Sequence, residues 1–499
     1  MRVTVLALVL GGAAGPLHAQ ASRYVPLDDW AVPLVEHLIR AQVIEDPNPL
    51  TRPLTESQVR EALARADTTA LPASVRATVR RLMQRIGRAP TDPSYHAAVF
   101  LSVAAATHDR RELVREAGDE WTAVRAGMQL TGSFGPLVLS ALPYIDTHIT
   151  QDPDWPGDSA LASLPGRFTD AYISLQTRYA DLFLGSLARS WGPPGIDGLL
   201  VSGYPYTYDH LAVRLGTRHV RVETMLTQLD DGLAADSAVI NRFFVAHRVS
   251  IRPIRQLLIG LGQATLWRGA GRTWELRWLN PFKLSRQTAI DEALRDSTNS
   301  AYVGDLRVEL PAGAVFGIQF LMDDWSLRTD AVFPERFAGT AVLDVPVGPA
   351  VAVRALYTGV SSLTYKTAQG RDFYLVRNGI GLGRNHSDYT QATLSATVVA
   401  APAVLLEPEI TWLRQGESDL TQPFPPLPAP DYPFLFVGTV ETTWRLALGA
   451  RADLIRGLEV SANAGVHFVR NAGHVVGASR TPFVGAMALT WRLGRRFPG

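Results

Sequence analysis

Polar and aliphatic residues alternate with a period of two over much of the chain. In F-T-D-A-Y-I-S-L-Q-T-R-Y, residues 168–179, Asp170, Tyr172, Ser174, Gln176 and Arg178 share one face, and Ala171, Ile173, Leu175 and Thr177 share the other. Successive strand side chains point to opposite sides, so this pattern predicts a strand with one wet and one oily face. Leu211, Val213 and Leu215 alternate with His210 and Arg214, and Val220, Val222 and Thr224 alternate with Arg221 and Glu223. Arg218-His219 supplies the tight turn between them. Further strands are expected at 124–131, 137–150, 242–250, 257–265, 274–278, 306–310, 315–320, 326–332, 341–345 and 351–357. The series continues at 373–377, 393–399, 407–414, 437–446, 458–469 and 483–493.

From residue 95 onward this region spans roughly 405 residues, room for on the order of 16–20 spanning strands at 20–25 residues per strand and turn. The expectation is an all-β membrane barrel of about 18 antiparallel strands over 95–499, closed so that no edge is left unpaired. Eleven Trp and 14 Tyr suit the aromatic girdles of such barrels. Soluble propellers also alternate, but they repeat every 40–50 residues or so, and no such repeat is present. The Pro-rich or polar stretches 151–166, 289–300 and 416–433 read as loops on the outer side.

Residues 22–90 follow helical spacing instead. Asp28 and Asp29 can cap a helix reaching Val43. Thr55 and Gln58 form a capping box before a second. Leu71, Val75, Val79, Leu82 and Ile86 stripe a third, whose other side carries Arg76, Arg80, Arg81, Arg85 and Arg88. A small three-helix bundle is expected over 22–90, its basic face solvated or set against lipid phosphates or an anionic polymer.

Met1 to Ala21 has the layout of a secretory signal peptide: Arg2, an apolar run, then L-H-A-Q-A. No later run is long and apolar enough for a transmembrane helix. The chain has no cysteine, which excludes thiolate metal sites, cysteine nucleophiles and a lipid-modified cysteine anchor. Net charge is +1, so no global field favours nucleic acid. An exported barrel belongs in an outer membrane, with its lipid as one partner.

Three segments carry a resemblance. They are Y-V-P-L-D-D-W-A-V-P-L-V-E-H-L-I-R-A-Q-V-I with T-R-P-L-T-E-S-Q-V-R-E-A-L, then R-S-W-G-P-P-G-I-D-G-L-L-V-S, then A-H-R-V-S-I-R-P-I-R-Q-L-L-I-G-L-G-Q-A followed by R-W-L-N-P-F. In this order they resemble the capsule-assembly Wzi-type outer-membrane proteins. The resemblance implies an 18-stranded barrel with a helical bundle at its periplasmic side, and a role in organising capsular polysaccharide by binding rather than chemistry. The helical segment also resembles a reduced S-layer-homology module, which implies contact between residues 22–90 and a cell-wall polymer. It differs in having Glu45-Asp46-Pro47-Asn48-Pro49 where a glycine-bearing loop is usual.

Candidate polysaccharide contacts are Arg189 and Trp191, on a Gly- and Pro-rich turn, with Asp154 and Trp155 in the loop 151–166. A ring held on a rigid turn can stack on a sugar face, and a guanidinium can pair with an acidic sugar's carboxylate. The other reading of Trp191 is lumen packing. Arg125, Arg178, Arg214, Arg221, Arg248 and Arg307, with Glu223 and Glu309, are expected to line a mixed-charge lumen that neutralises itself. No zinc motif, nucleophile elbow or cofactor motif is present. His386 and Ser387 are adjacent and so point apart. Asp230-Asp231 and Asp323-Asp324 read as turn residues. The alternatives are a porin-like channel for small solutes and a barrel-embedded hydrolase.

Overall fold

The computed structural model describes residues 21–87, 93–157, 166–233, 238–324, 334–429, 431–455 and 457–498. The signal-peptide segment 1–20, Arg88 and the expected strand 326–332 lie outside them.

Eighteen antiparallel strands among the described residues close into a barrel. They are β1 Ser94–Ala106, β2 Trp121–Phe134, β3 Leu137–Asp146, β4 Gly166–Gln176, β5 Ala180–Ser186 and β6 Asp209–Gly216, then β7 Val220–Gln228, β8 Val239–Ile254, β9 Leu257–Gly269, β10 Thr298–Glu309, β11 Val315–Asp324 and β12 Arg336–Gly348. The last six are β13 Val351–Val360, β14 Tyr389–Ala401, β15 Val404–Gln415, β16 Glu441–Ile455, β17 Leu458–Arg470 and β18 Phe483–Pro498. Each pairs with its neighbours in sequence, and β18 returns to β1 with Phe497 opposite Tyr95 and Leu489 opposite Val103. Connections on one rim, such as Gly135-Pro136 and Arg255-Gln256, are short. Those on the other are long, including 187–208, 270–297, 361–388 and 416–440.

The alternation resolves into two surfaces. Met487, Leu489, Trp491 and Leu493 on β18, Val99, Leu101 and Val103 on β1, and Leu446 and Leu448 on β16 are exposed on the outside. Keeping a Leu or Val wet forgoes about 1.5–3 kcal/mol each. Row after row of them defines a wall matched to hydrocarbon. No helix among the described residues is long and apolar enough to cross a membrane, so any crossing is made by the strands.

Three helices precede the barrel: α1 Ala31–Arg40, α2 Glu56–Ala64 and α3 Ala73–Ile86. Thr55 caps α2 in a reciprocal box with Gln58, and Asp29 accepts the Ala31 N–H at 2.9 Å at the start of α1. Helix α1 stops at Arg40 rather than Val43, because Gln42 turns to a left-handed φ of 56°. Leu34, Leu38, Val59, Leu63, Val79 and Leu82 bury one another and reach the short-turn rim at Val399, Ala403 and Leu405. The basic side of α3 is not simply solvated. Arg81 pairs with Asp453 at 2.9 Å and Arg85 with Glu459, tying the bundle to the rim of β16 and β17. Arg80 is exposed.

Two expected strands are absent. Residues 274–278 lie in the long β9–β10 connection, where Leu276–Trp278 form a short 3-10 turn. Residues 373–377 lie in the β13–β14 connection, where only Val376-Arg377 pairs, with Ile380-Gly381. Residues 274–278 alternate, but only Trp278 of their apolar residues is buried; residues 373–377 are a short apolar run, buried by loop folding instead of by a sheet face.

Candidate functional site

Long connections fold inward from the second rim and meet the segment after α1 inside the barrel. Thr51-Arg52 pairs antiparallel with Ser190-Trp191, with Thr51 opposite Trp191. Around this small ladder Leu199, Leu200, Val201, Tyr365, Tyr374 and Leu375 from the loops pack on the inward residues Phe244, Ala264 and Leu266 of the wall. The glycines allow the approach: a Cβ at Gly198 would lie 2.2 Å from the Trp191 carbonyl oxygen, and one at Gly383 would lie 1.9 Å from that of Leu199.

Trp191 therefore does not present a ring to a polymer. It is 4% exposed, with the Arg248 guanidinium 4.9 Å above it, and Gln319 donates to its carbonyl at 2.8 Å. Arg189 is buried too. It donates to His210 at 2.7 Å and lies 4.3 Å over the Phe183 ring. This corrects the expected sugar contact: the Gly- and Pro-rich turn points into the lumen, where its backbone is satisfied by β-pairing, and both side chains are consumed in packing.

The lumen charges are distributed as follows. Arg248 is buried and donates to Leu50 O at 2.8 Å, to Glu223 at 3.2 Å and to Thr51. Arg221 donates to Asn48, and Arg214 lies 3.5 Å from Asp181. Arg125 pairs with Asp146, and Arg307 with Glu309 at 2.7 Å. Arg178 is exposed in the turn after β4, because that strand ends at Gln176, so it is not a lumen residue. The cavities beside Trp191 and beside Pro193-Pro194 are each about 30 Å³, space for a water or two. Among the described residues no cluster of His, Asp and Glu could hold a metal.

A different cluster sits at the mouth on the long-loop rim. Asp152 accepts a hydrogen bond from the Tyr206 hydroxyl, and Asp154 from that of Tyr204 at 3.0 Å. The Arg111 guanidinium lies 4.9 Å over Tyr204 and 4.4 Å over Tyr206, 3.5 Å from Asp152, and donates to the Tyr204 carbonyl at 2.8 Å. Arg167 covers Tyr206 at 4.1 Å and donates to Thr207. Trp155 follows, half-buried, its N–H bonded to Asp152 O at 3.0 Å. Burial and then the charges of Glu112 and Asp154 push the Tyr204 hydroxyl far above its ordinary range; burial and Asp152 do the same for Tyr206. Both phenols stay protonated donors. The result is a set of half-buried rings, guanidinium edges and carboxylate acceptors held rigidly by each other.

Loop 107–120 frames this cluster through three carboxylate–imidazole pairs. These are Asp109–His148 at 3.5 Å, Glu112–His386 at 3.1 Å and Glu116–His467 at 2.9 Å. Ser387 is fully buried, out of reach of a substrate. Asp154 and Trp155 were legible from sequence. Tyr204, Tyr206, Arg111 and Asp152 were not, although Y-P-Y-T-Y, residues 204–208, spaces three rings at alternate positions.

No family model and no curated protein sequence matches the chain. Among solved structures it is similar to Wzi of Escherichia coli, an outer-membrane protein involved in group 1 capsule assembly and a carbohydrate-binding β-barrel. The TM-score is 0.63 at 14% identity, over 96% of this chain and 100% of that one. The fold is that of a Wzi-type barrel. Weaker similarity extends to Pseudomonas aeruginosa OccK3, with TM-score 0.46, 13% identity, and coverage of 80% of this chain and 96% of that one. For Pseudomonas aeruginosa OprD the TM-score is 0.45 at 9% identity, covering 81% of this chain and 96% of that one. The likeness to that barrel thus spans nearly the whole chain.

Proposed function

We propose that this chain is an outer-membrane barrel that binds surface polysaccharide at its long-loop mouth and carries out no chemistry. In this reading the short-turn rim and the helices face the periplasm, since spanning barrels keep short turns inside and long loops outside. The carrying observation is the mouth cluster of Tyr204, Tyr206, Trp155, Arg111, Arg167, Asp152 and Asp154. Sugars are bound by aromatic faces together with charged groups that accept and donate to hydroxyls. The barrel-wide likeness to a carbohydrate-binding barrel supports the reading further. A capsular polymer bearing carboxylates would use the Arg111 guanidinium, while the buried Asp152 and Asp154 hold the Tyr206 and Tyr204 rings in place.

The test is retention of purified capsular polysaccharides in affinity electrophoresis with the full chain in detergent. Arg111→Ala and Tyr206→Ala should each weaken retention about tenfold or more, a loss of roughly 1.4 kcal/mol. Unchanged retention by both variants, with the barrel still folded, would move the site elsewhere. Turnover of any glycan or lipid by the wild-type protein would refute the non-enzymatic part.

A further inference from the structure

The outside of a spanning barrel should be apolar, yet part of this wall carries polar residues. The outward side chains of β7, β8 and β9 include Thr224, His247, Gln263 and Thr265, and the last three are almost fully buried. What buries them is the long β9–β10 connection, 270–297, which folds back against the outer wall. His247 accepts at Nδ1 from Thr224 at 2.9 Å and donates from Nε2 to Trp278 O at 2.7 Å. Gln263 donates to Lys283 O at 2.6 Å and accepts from the Ser285 N–H at 3.0 Å. Trp278 stacks on Trp267, which stacks on Phe243. A short helix, Ser285–Asp291, turns Ser285, Thr288 and Ala289 to the wall.

The other side of this lobe is apolar and bare. Leu276 is 84% exposed, Phe282 77% and Leu284 63%, with Trp274 and Ile290 also exposed. Two of its charged pairs are internal, Arg272 with Glu275 and Arg277 with Glu292, and Lys283 is exposed between Phe282 and Leu284.

The position along the wall says what covers that face. Leu184 on β5 pairs with Leu211, and Leu211 with Leu226 on β7. Leu184 is 52% exposed, part of the bare outer wall, whereas Leu226 is 1% exposed beneath the lobe. On the other side, Leu261 shares a rung with Gly304 and Phe320, and Leu261 and Phe320 are both exposed. The lobe thus stands beside rungs whose uncovered residues form the hydrocarbon-matched wall, and its outer face continues that wall one layer further out.

Resting on the membrane reading above, we propose that residues 270–297 form a lateral lobe that immerses Trp274, Leu276, Phe282 and Leu284 among the acyl chains of the leaflet next to the long-loop rim. The lobe shields hydrogen-bonded polar groups of the wall from lipid and offers hydrocarbon in their place.

Because the chain lacks cysteine, single Cys variants can be labelled uniquely with a nitroxide. Leu276→Cys and Leu284→Cys, in the full chain in proteoliposomes, should collide more with dissolved oxygen than with a water-soluble nickel chelate. Leu184→Cys on the bare wall should do the same, and Asp296→Cys, exposed in the same connection, should show the reverse ratio. Nickel-accessible labels at 276 and 284, with 184 still in lipid, would place the lobe in water and overturn the proposal. Labels there shielded from both agents, or spin–spin broadening that grows with the protein-to-lipid ratio, would overturn it in favour of a second copy. A nickel-accessible label at 184 would instead remove the membrane reading on which the lobe depends.

Discussion

Arg248 joins the barrel wall to the segment after α1. It holds Glu223, the Leu50 carbonyl and Thr51, and covers Trp191, with no exposure of its own. Removing one partner of a buried ion pair leaves an uncompensated charge, which costs about 3–5 kcal/mol, while replacing both is often nearly neutral. Arg248→Met should therefore lower the thermal unfolding midpoint in micelles markedly, and Arg248→Met with Glu223→Gln should regain much of the loss. If the double variant is no more stable than the single one, the pair is not the source of the effect. Arg189 and Trp191 teach the complementary lesson at this scale. Their residue types and their rigid turn suited sugar binding equally well, and burial decided against it.

Among the elements, the helices were the most legible, because caps and a 3.6-residue stripe are local signals. Thr55, Gln58, Val79 and Leu82 act as their pattern predicts. Leu82 is fully buried, so Leu82→Ala should cost about 2–5 kcal/mol, read as faster hydrogen exchange in residues 73–86 with the strands unchanged. Helix α1 carries a pH dependence. His37 is buried against the strands, accepting from Thr397 at 2.8 Å and facing the Pro349 carbonyl. Burial, opposed by that carbonyl, lowers its pKa to about 4. A lowered folded value means the undocked state binds the proton more readily. Docking is therefore fully stable above about 6.5 and weakens as pH falls from there through about 4. Protection factors in residues 31–40, taken against the intrinsic exchange rate at each pH, should fall between pH 7 and 4.5, and His37→Gln should flatten that change; equal protection at both pH values would remove His37 as the cause. The strands were legible where one face meets the lumen and the other the outside. Residues 274–278 and 373–377 were misread because five residues, whether alternating or continuously apolar, look the same in a strand and in a folded loop.

For the whole molecule, the inward loops and the segment 44–56 meet across the lumen, leaving cavities of about 30 Å³ beside Trp191 and beside Pro193-Pro194. The intact chain in a planar bilayer should accordingly stay electrically silent. A steady open current at low voltage would favour the channel reading over the binding one. The export signal lies outside the described residues and remains an expectation from sequence.

What the sequence determined by itself is what repeats locally: two-faced strands enough for about 18, three amphipathic helices and no thiol chemistry. The faces and helices follow from periodicity and composition, which need no knowledge of distant partners; the figure of 18 came with the resemblance. Only the tertiary structure decided that Trp191 packs the lumen and that Tyr204, Tyr206 and Arg111 converge with Asp152 and Asp154. It alone also showed that residues 270–297 cover the outer wall. Each of these depends on contacts between loops far apart in the chain, whose meeting is set by closure of the barrel and leaves no period in the sequence.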